Sequence, residues 1–429
     1  MTGAVPPRAG YRDVFRVREF RALWLSEILS VAGDRLALVA LTVLVYDRTR
    51  SPLLAAVTYA AGYLPWVIGG LFLADLADRR PRRTVMVTCD VVRAVLVAAM
   101  ALPGVPLWTL VALLFATTMF TPPFESARAA VTPDILPGER YALGAAVLQT
   151  TFLAAQVAGA VGGGVAVAFI GVRPSLAIDS ATFVLSGLLI GLGTRARPAA
   201  ARPETVQASP WVRLASPWAR LRDGFRLVFR DRALRTLLLI GWLVVFYTLP
   251  EGVAAPYAAR LGRGPIATGL ILASTVFATM IATPLFTRFV RARNRLAWMG
   301  PLAVLTCGTL VLTALRPGLV VSLVIFTLSA AFGVYQIAAN TAFVVRVPRD
   351  RRAQAMGIAN VGVVVGQGGA FLAAGAAAEV IAPAAVIAIA GAVGAVAALV
   401  LTLGWRHMSQ PPGRRRPGAG NPVPLRRSS

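Results

Sequence analysis

Residues 195–235 read RARPAAARPETVQASPWVRLASPWARLRDGFRLVFRDRALR, the one long polar interruption in an otherwise apolar chain. Six apolar runs precede it, at about 22–46, 53–74, 84–103, 106–123, 143–171 and 174–194. Six follow, at about 236–256, 265–287, 297–315, 318–343, 354–379 and 382–405. A helix needs about 20 apolar residues to cross a bilayer core of about 30 Å. Membrane strands are only about 9–11 residues and alternate in polarity, so runs of this length are helices. The pattern predicts an all-α integral membrane protein with twelve transmembrane helices in two six-helix bundles related by pseudo-two-fold symmetry. Its parts are an N-terminal bundle over 1–195, a cytoplasmic linker over 196–235, a C-terminal bundle over 236–405 and a disordered cytoplasmic tail over 406–429.

The linker itself divides. Arg197 to Pro210 is rich in Ala, Pro and Arg and reads as flexible. From Ser216 to Arg235, Trp218, Leu221, Phe225, Val228 and Phe229 recur at helical spacing with arginines between them. That pattern predicts a basic amphipathic helix lying at the cytoplasmic surface. Weak echoes relate the two sides of the linker. Leu136-Pro137-Gly138-Glu139-Arg140 is echoed by Val347-Pro348-Arg349-Asp350-Arg351, about half the chain later. Duplicated halves place a substrate path between them.

Composition agrees. Of 429 residues 57% are hydrophobic and 14% charged, against roughly 45–50% and about 25% in soluble domains. The net charge of +25 does not mark a nucleic-acid binder, because the arginines sit between apolar runs and not along one face. Thirty-five of the 43 fall on one side of the expected membrane and six on the other, with Arg35 and Arg93 inside runs. The positive-inside rule then puts both termini in the cytoplasm, and the chain in the cell (inner) membrane. No cleavable signal peptide is expected, because the first twenty residues are polar. Cys89 and Cys307 offer no disulfide framework, and the single histidine, His407, excludes a His-based triad or His-rich zinc site. No cofactor or metal is expected. A chain without lysine holds no Gly-x-x-x-x-Gly-Lys phosphate loop.

Several stretches resemble the major facilitator superfamily, and in particular its branch of macrolide and enterobactin exporters. They are Phe20-Arg21-Ala22-Leu23-Trp24-Leu25, Gly33-Asp34, Leu44-Val45-Tyr46 and Ala219 to Arg226. The loop after the second run is similar to the superfamily's signature there, with Asp78, Arg79, Arg82 and Arg83 in place, Ala74 for the usual Gly and Pro81 for a second one. The resemblance implies a cytoplasmic gate at this cluster; plain positive-inside topology is the alternative. In the fifth run, Gly159, Gly163 and Gly164 are similar to the superfamily's antiporter signature, with Ala160 replacing its Pro. A plain packing face explains the same glycines.

Charges at membrane depth cost roughly 2.5–3.5 kcal/mol on insertion scales, so each needs a reason. Glu27 and Asp34, seven apart, share a face of the first run, and Glu251 follows Pro250 in the seventh. A proton-driven transporter needs a carboxylate that is neutral in one state and ionised in the other. Asp34 is the first candidate, then Glu27 and Glu251. Asp90 and Arg93 at i,i+3 read as a structural pair, and Asp179 as a structural feature of the sixth run. Gln156, Gln336 and Asn340 are candidate cavity residues, and Tyr63, Trp66, Phe246 and Tyr247 are aromatics able to stack on a bulky ligand. The leading expectation is export of a hydrophobic or amphipathic small molecule by proton antiport, in contact with membrane lipids and as a monomer, with no enzymatic activity. Import or lipid flipping by the same fold, and a non-transporting sensor or scaffold, are the alternatives.

Overall fold

The computed structural model describes residues 10–65, 69, 80–197, 222 and 224–409, and of Ala353 and residues 406–409 the backbone only. No described residue lies in a strand. The helices are α1 (Arg18–Thr49), a shorter α2 (Pro52–Ala61), α3 (Arg82–Ala101), α4 (Leu107–Ile135), α5 (Glu139–Ile170), α6 (Val172–Gly193), α7 (Arg232–Gly252), α8 (Pro265–Phe289), α9 (Ala292–Leu315), α10 (Leu319–Arg346), α11 (Arg352–Val380) and α12 (Pro383–Ser409). Among the described residues eleven helices are long and apolar enough to cross a membrane; α2 is the short one. Most of the second half of the second run, with Trp66, Ala74, Asp78 and Arg79, lies outside the described residues.

Local chemistry sets the ends. Arg50 takes a left-handed conformation (φ 55°) to finish α1, and Ser51 caps α2 by accepting from Leu54 N at 3.1 Å. Asp231 caps α7, accepting from the amides of Ala233 at 2.7 Å and Leu234 at 3.1 Å. Two spans differ from the expected single runs. The seventh is broken after Trp242, Tyr247 and Gly252 and resumes as Ala254–Arg260. Pro250 and Pro256 lack the amide that continues a helical ladder. The fourth extends to Ile135 through a break at Phe120, so Glu125 and Arg128 stand within the helix and not at its end.

Exposed Val95, Phe169, Leu188 and Leu192 in the first half, and Val320, Val324, Val396 and Val400 in the second, leave outer faces as apolar as a lipid-facing surface requires. Inside, α1 packs on α5 and α6, and α3 on α6 and α4. In the second half α9 packs on α12 and α10, and α7 on α10, α11 and α12. The halves meet chiefly at two helix pairs, α5 with α8 and α2 with α11. The glycines of α5 make one of these meetings possible. A Cβ on Gly163 would lie 2.8 Å from Leu36 Cα of α1, and one on Gly164 would lie 2.7 Å from the Pro265 carbonyl of α8. Gly159 likewise faces the α1 backbone at Ala32. Small residues admit such approaches where lipid offers no hydrophobic drive.

The buried apolar side chains form three clusters. One includes Leu41, Tyr59 and Val167 of the first half together with Leu249, Ile271 and Phe371 of the second. The other two are private. Phe20, Met86, Phe124, Leu148 and Ile190 belong to the first half; Leu237, Met299, Tyr335, Phe343 and Trp405 belong to the second. The private clusters lie toward the end where α1 begins and α12 finishes, here the terminal end. At the opposite, far end the halves share one core. Among the described residues, the buried apolar clusters join the halves toward the far end and stay separate toward the terminal end.

Two contacts across the chain complete the picture. At the far end Glu379, at the close of α11, accepts from Ser51 Oγ and from Leu53 N at 3.0 Å, so a carboxylate of one half caps a helix of the other. At the terminal end Gly224–Arg230 is helical, with Val228 fully buried in the second half's private core and Gly224 against Gln354 and Ile358 of α11. The described part of the basic helix, Gly224–Arg230, is therefore docked on protein. Leu227, Val228 and Phe229 pack on that core, while Phe225 remains half exposed and stacks on Phe229 at 4.0 Å.

Candidate functional site

Where the halves begin to part, five polar side chains from four helices meet. Tyr59 and Tyr63 stand four apart along the α2 segment and turn the same way, their hydroxyls 3.1 Å apart. Both donate to Glu251 Oε2 of α7, Tyr59 at 2.8 Å and Tyr63 at 3.3 Å. Arg35 of α1 reaches the Tyr63 hydroxyl at 3.3 Å and donates to Gln156 Oε1 of α5. Phe371 of α11 closes the group from the second half, with ring centroids 5.1 Å from Tyr59 and 5.5 Å from Tyr63. Glu251, Tyr59 and Gln156 are buried; Arg35 and Tyr63 are only partly so, which gives the group an open side. The broken course of α7 is what turns Glu251 inward, just after Pro250.

Chemically the group is a cation and an acid joined through two phenols. A buried charge is tolerated when it is paired and hydrogen-bonded. Here the acid lies on one half of the chain and its donors and guanidinium on the other. Protonating Glu251 removes the charge that holds Tyr59 and Tyr63. The second half continues the polar track: Gln367 donates to Thr248 at 3.1 Å, and Gln336 donates to the Tyr247 hydroxyl at 3.0 Å. Asn340 is exposed and lies apart.

The other carboxylates expected to matter are engaged within the first half. Asp34 is paired with Arg93 of α3, and Glu27 with Arg128 of α4, which also holds Glu125. Asp34 keeps 34% of its side-chain surface, whereas Glu27 keeps 1%. Glu27 and Asp34 share a helical face as expected, and each has found an arginine. Arg93 also lies 3.7 Å from Asp90, so the expected i,i+3 pair exists, but its closer partners are Asp34 and, at 2.9 Å, Ser30. Of the loop cluster, the described residues bind within their own half: Arg82 pairs with Asp134 at 2.6 Å and Arg83 donates to the Gly191 carbonyl.

Reading the sequence missed Arg35 and Tyr59 as members of a site. Both left signals. Arg35 is a cation at membrane depth that had been given no partner, and Tyr59 precedes Tyr63 by one helical turn.

A multi-pass helical chain whose halves enclose a buried ionisable group has the build of a membrane transporter. Residues 23–368 match the Major Facilitator Superfamily, and the chain belongs to that family. Transport, and not enzymatic catalysis, is what membership of that family points to. It is 26% identical over 290 residues to the MFS-type transporter YkuC of Bacillus subtilis (strain 168), which covers 63% of this chain and 66% of that one. Macrolide efflux protein A of Streptococcus pyogenes is 20% identical over 242 residues, 56% of this chain and 58% of its own length. The matched part thus spans less than two thirds of either relative. In fold the chain is similar to the crystal structure of the nucleoside transporter NupG, with a TM-score of 0.70 over 91% of this chain and 100% of that one at 13% identity.

Proposed function

We propose that the chain exports a hydrophobic or amphipathic small molecule by proton antiport, with Glu251 as the carboxylate whose charge changes during the cycle. The observation that carries this reading is the Arg35–Tyr63–Tyr59–Glu251 group, which ties the two halves together at the depth where they start to separate. Glu251 takes the place that the expectation assigned first to Asp34, because Asp34 is bound to an arginine of its own half. Twelve crossings in two six-helix bundles complete the reading. The arginine excess at the terminal end supports a cytoplasmic placement of that end in the cell membrane.

On this reading the described arrangement is open to the cytoplasm and closed outside. Cargo enters between the private cores, among mostly apolar walls relieved by Gln156, Gln336 and Tyr247. Rocking of the halves about the Glu251 group then opens the far end. The similarity to Macrolide efflux protein A supports export and bulky apolar cargo.

The test is accumulation of a panel of lipophilic compounds in cells carrying the wild-type chain or Glu251→Gln, with and without a protonophore. The reading expects lower accumulation with wild type, reversed both by the protonophore and by Glu251→Gln at equal membrane abundance. Export that survives both changes contradicts it, and cargo gain in place of loss turns the direction to import.

A further inference from the structure

Asp179 of α6 is fully buried and has no cationic partner at ion-pair distance among the described residues. Its Oδ2 has no hydrogen-bond partner among the described residues. Its Oδ1 has only the Thr182 hydroxyl at 3.3 Å, whose single proton is also drawn to the Asp179 carbonyl at 2.7 Å. The surroundings explain why no cation reaches it. Arg93 is committed to Asp34, Ser30 and Asp90, and the Phe183 ring lies across its guanidinium at 4.1 Å. Asp90 also receives the Ser186 hydroxyl at 2.6 Å.

We infer that Asp179 is a proton-binding carboxyl of the first half, neutral in the described arrangement, forming with Asp34, Asp90 and Arg93 a site separate from Glu251. Three carboxylates, Asp90 and Asp179 fully buried and Asp34 partly, have one guanidinium among them. If all three were ionised, the cluster would hold an uncompensated double negative charge out of water, at a cost of several kcal/mol per ion. An ionised carboxylate accepts at about four lone-pair positions, and Asp179 has one shared donor. A proton on Oδ2 removes the charge with a single atom. A metal cation would need several oxygen ligands and would sit beside a guanidinium, so a proton is the occupant that fits.

The helices packed on α6 are α1, α3 and α5. From α1 come Asp34 and Ser30; from α3 come Asp90 and Arg93. The α5 helix carries titratable side chains only at its start, Glu139, Arg140 and Tyr141, and α6 itself brings only Arg173 besides Asp179. Gly33 lets α1 lie against Asp179, because a Cβ there would run into the carboxylate. The next residue, Asp34, is the partly exposed member of the cluster and gives it an open edge.

The inference does not depend on cargo or direction, and its test uses neither. The purified full chain in lipid nanodiscs is compared in acid, neutral and alkaline buffer by infrared difference spectroscopy, as wild type, Asp179→Asn and Asp179→Glu. The expected result is a protonated-carboxyl C=O band in the wild type at neutral pH, lost in Asp179→Asn and shifted but kept in Asp179→Glu. The Glu variant keeps the test open where the Asn variant fails to fold. A wild-type protonated-carboxyl band that neither variant changes, or no such band at neutral pH, overturns the assignment.

Discussion

At the scale of single residues, the account rests on what each buried charge touches. Removing the Tyr59 hydroxyl deprives Glu251 of its shorter donor, at 2.8 Å. Hydrogen bonds to charged groups contribute about 1.5–3 kcal/mol. Tyr59→Phe should therefore slow proton-driven export by roughly tenfold or more while leaving the protein folded, which transport rates at matched membrane abundance will show. Arg93 is different in kind. Arg93→Ala strands Asp34 and Asp90 inside the first half. Breaking a buried pair this way costs about 3–5 kcal/mol, so thermal unfolding in detergent should shift markedly downward, and an unchanged transition would refute the structural role of that network. Which arginine meets which acid was not legible beforehand. Helical periodicity tells which face a side chain takes, not which neighbouring helix lies opposite. Glu27 and Asp34 were correctly placed on one face, yet their partners Arg128 and Arg93 come from helices about 60–100 residues later.

At the scale of helices, most of the spans were readable because run length and bilayer thickness leave few choices. The breaks were less so. Pro250, Gly252 and Pro256 stand in the sequence, but prolines are tolerated within membrane helices when neighbours satisfy the freed groups, so their presence alone does not predict a broken α7. The glycines of α5 were read as either a signature or a packing face, and the geometry supplies the packing. Gly164→Val should disrupt the α5–α8 contact, because its Cβ alone would lie 2.7 Å from the Pro265 carbonyl. The expected outcome is low yield of folded protein by size-exclusion chromatography, and normal yield would show that the helices can separate freely. Glu379 makes an opposite kind of joint, a removable one. Capping interactions at a helix start contribute about 0.5–2 kcal/mol, enough to bias a conformational equilibrium without setting the fold. Glu379→Gln should keep the protein folded and raise the population open at the far end.

For the whole molecule, the described residues form one core shared by the halves toward the far end and two private cores toward the other. The same chain must also be able to close its terminal end and part at the far end if it is to carry cargo across. The central claim is that this exchange is governed by the charge on Glu251. The most direct test is a pair of spin-label distances in nanodiscs as pH is varied. Leu102→Cys with Leu315→Cys reports the far end, and Tyr141→Cys with Val345→Cys reports the terminal end; all four sites are exposed. The account predicts two populations whose far-end and terminal-end distances change in opposite directions with pH, and a Glu251→Gln chain fixed at the acid-side distribution. One population at each end, or a pH response that persists unchanged in Glu251→Gln, would contradict it.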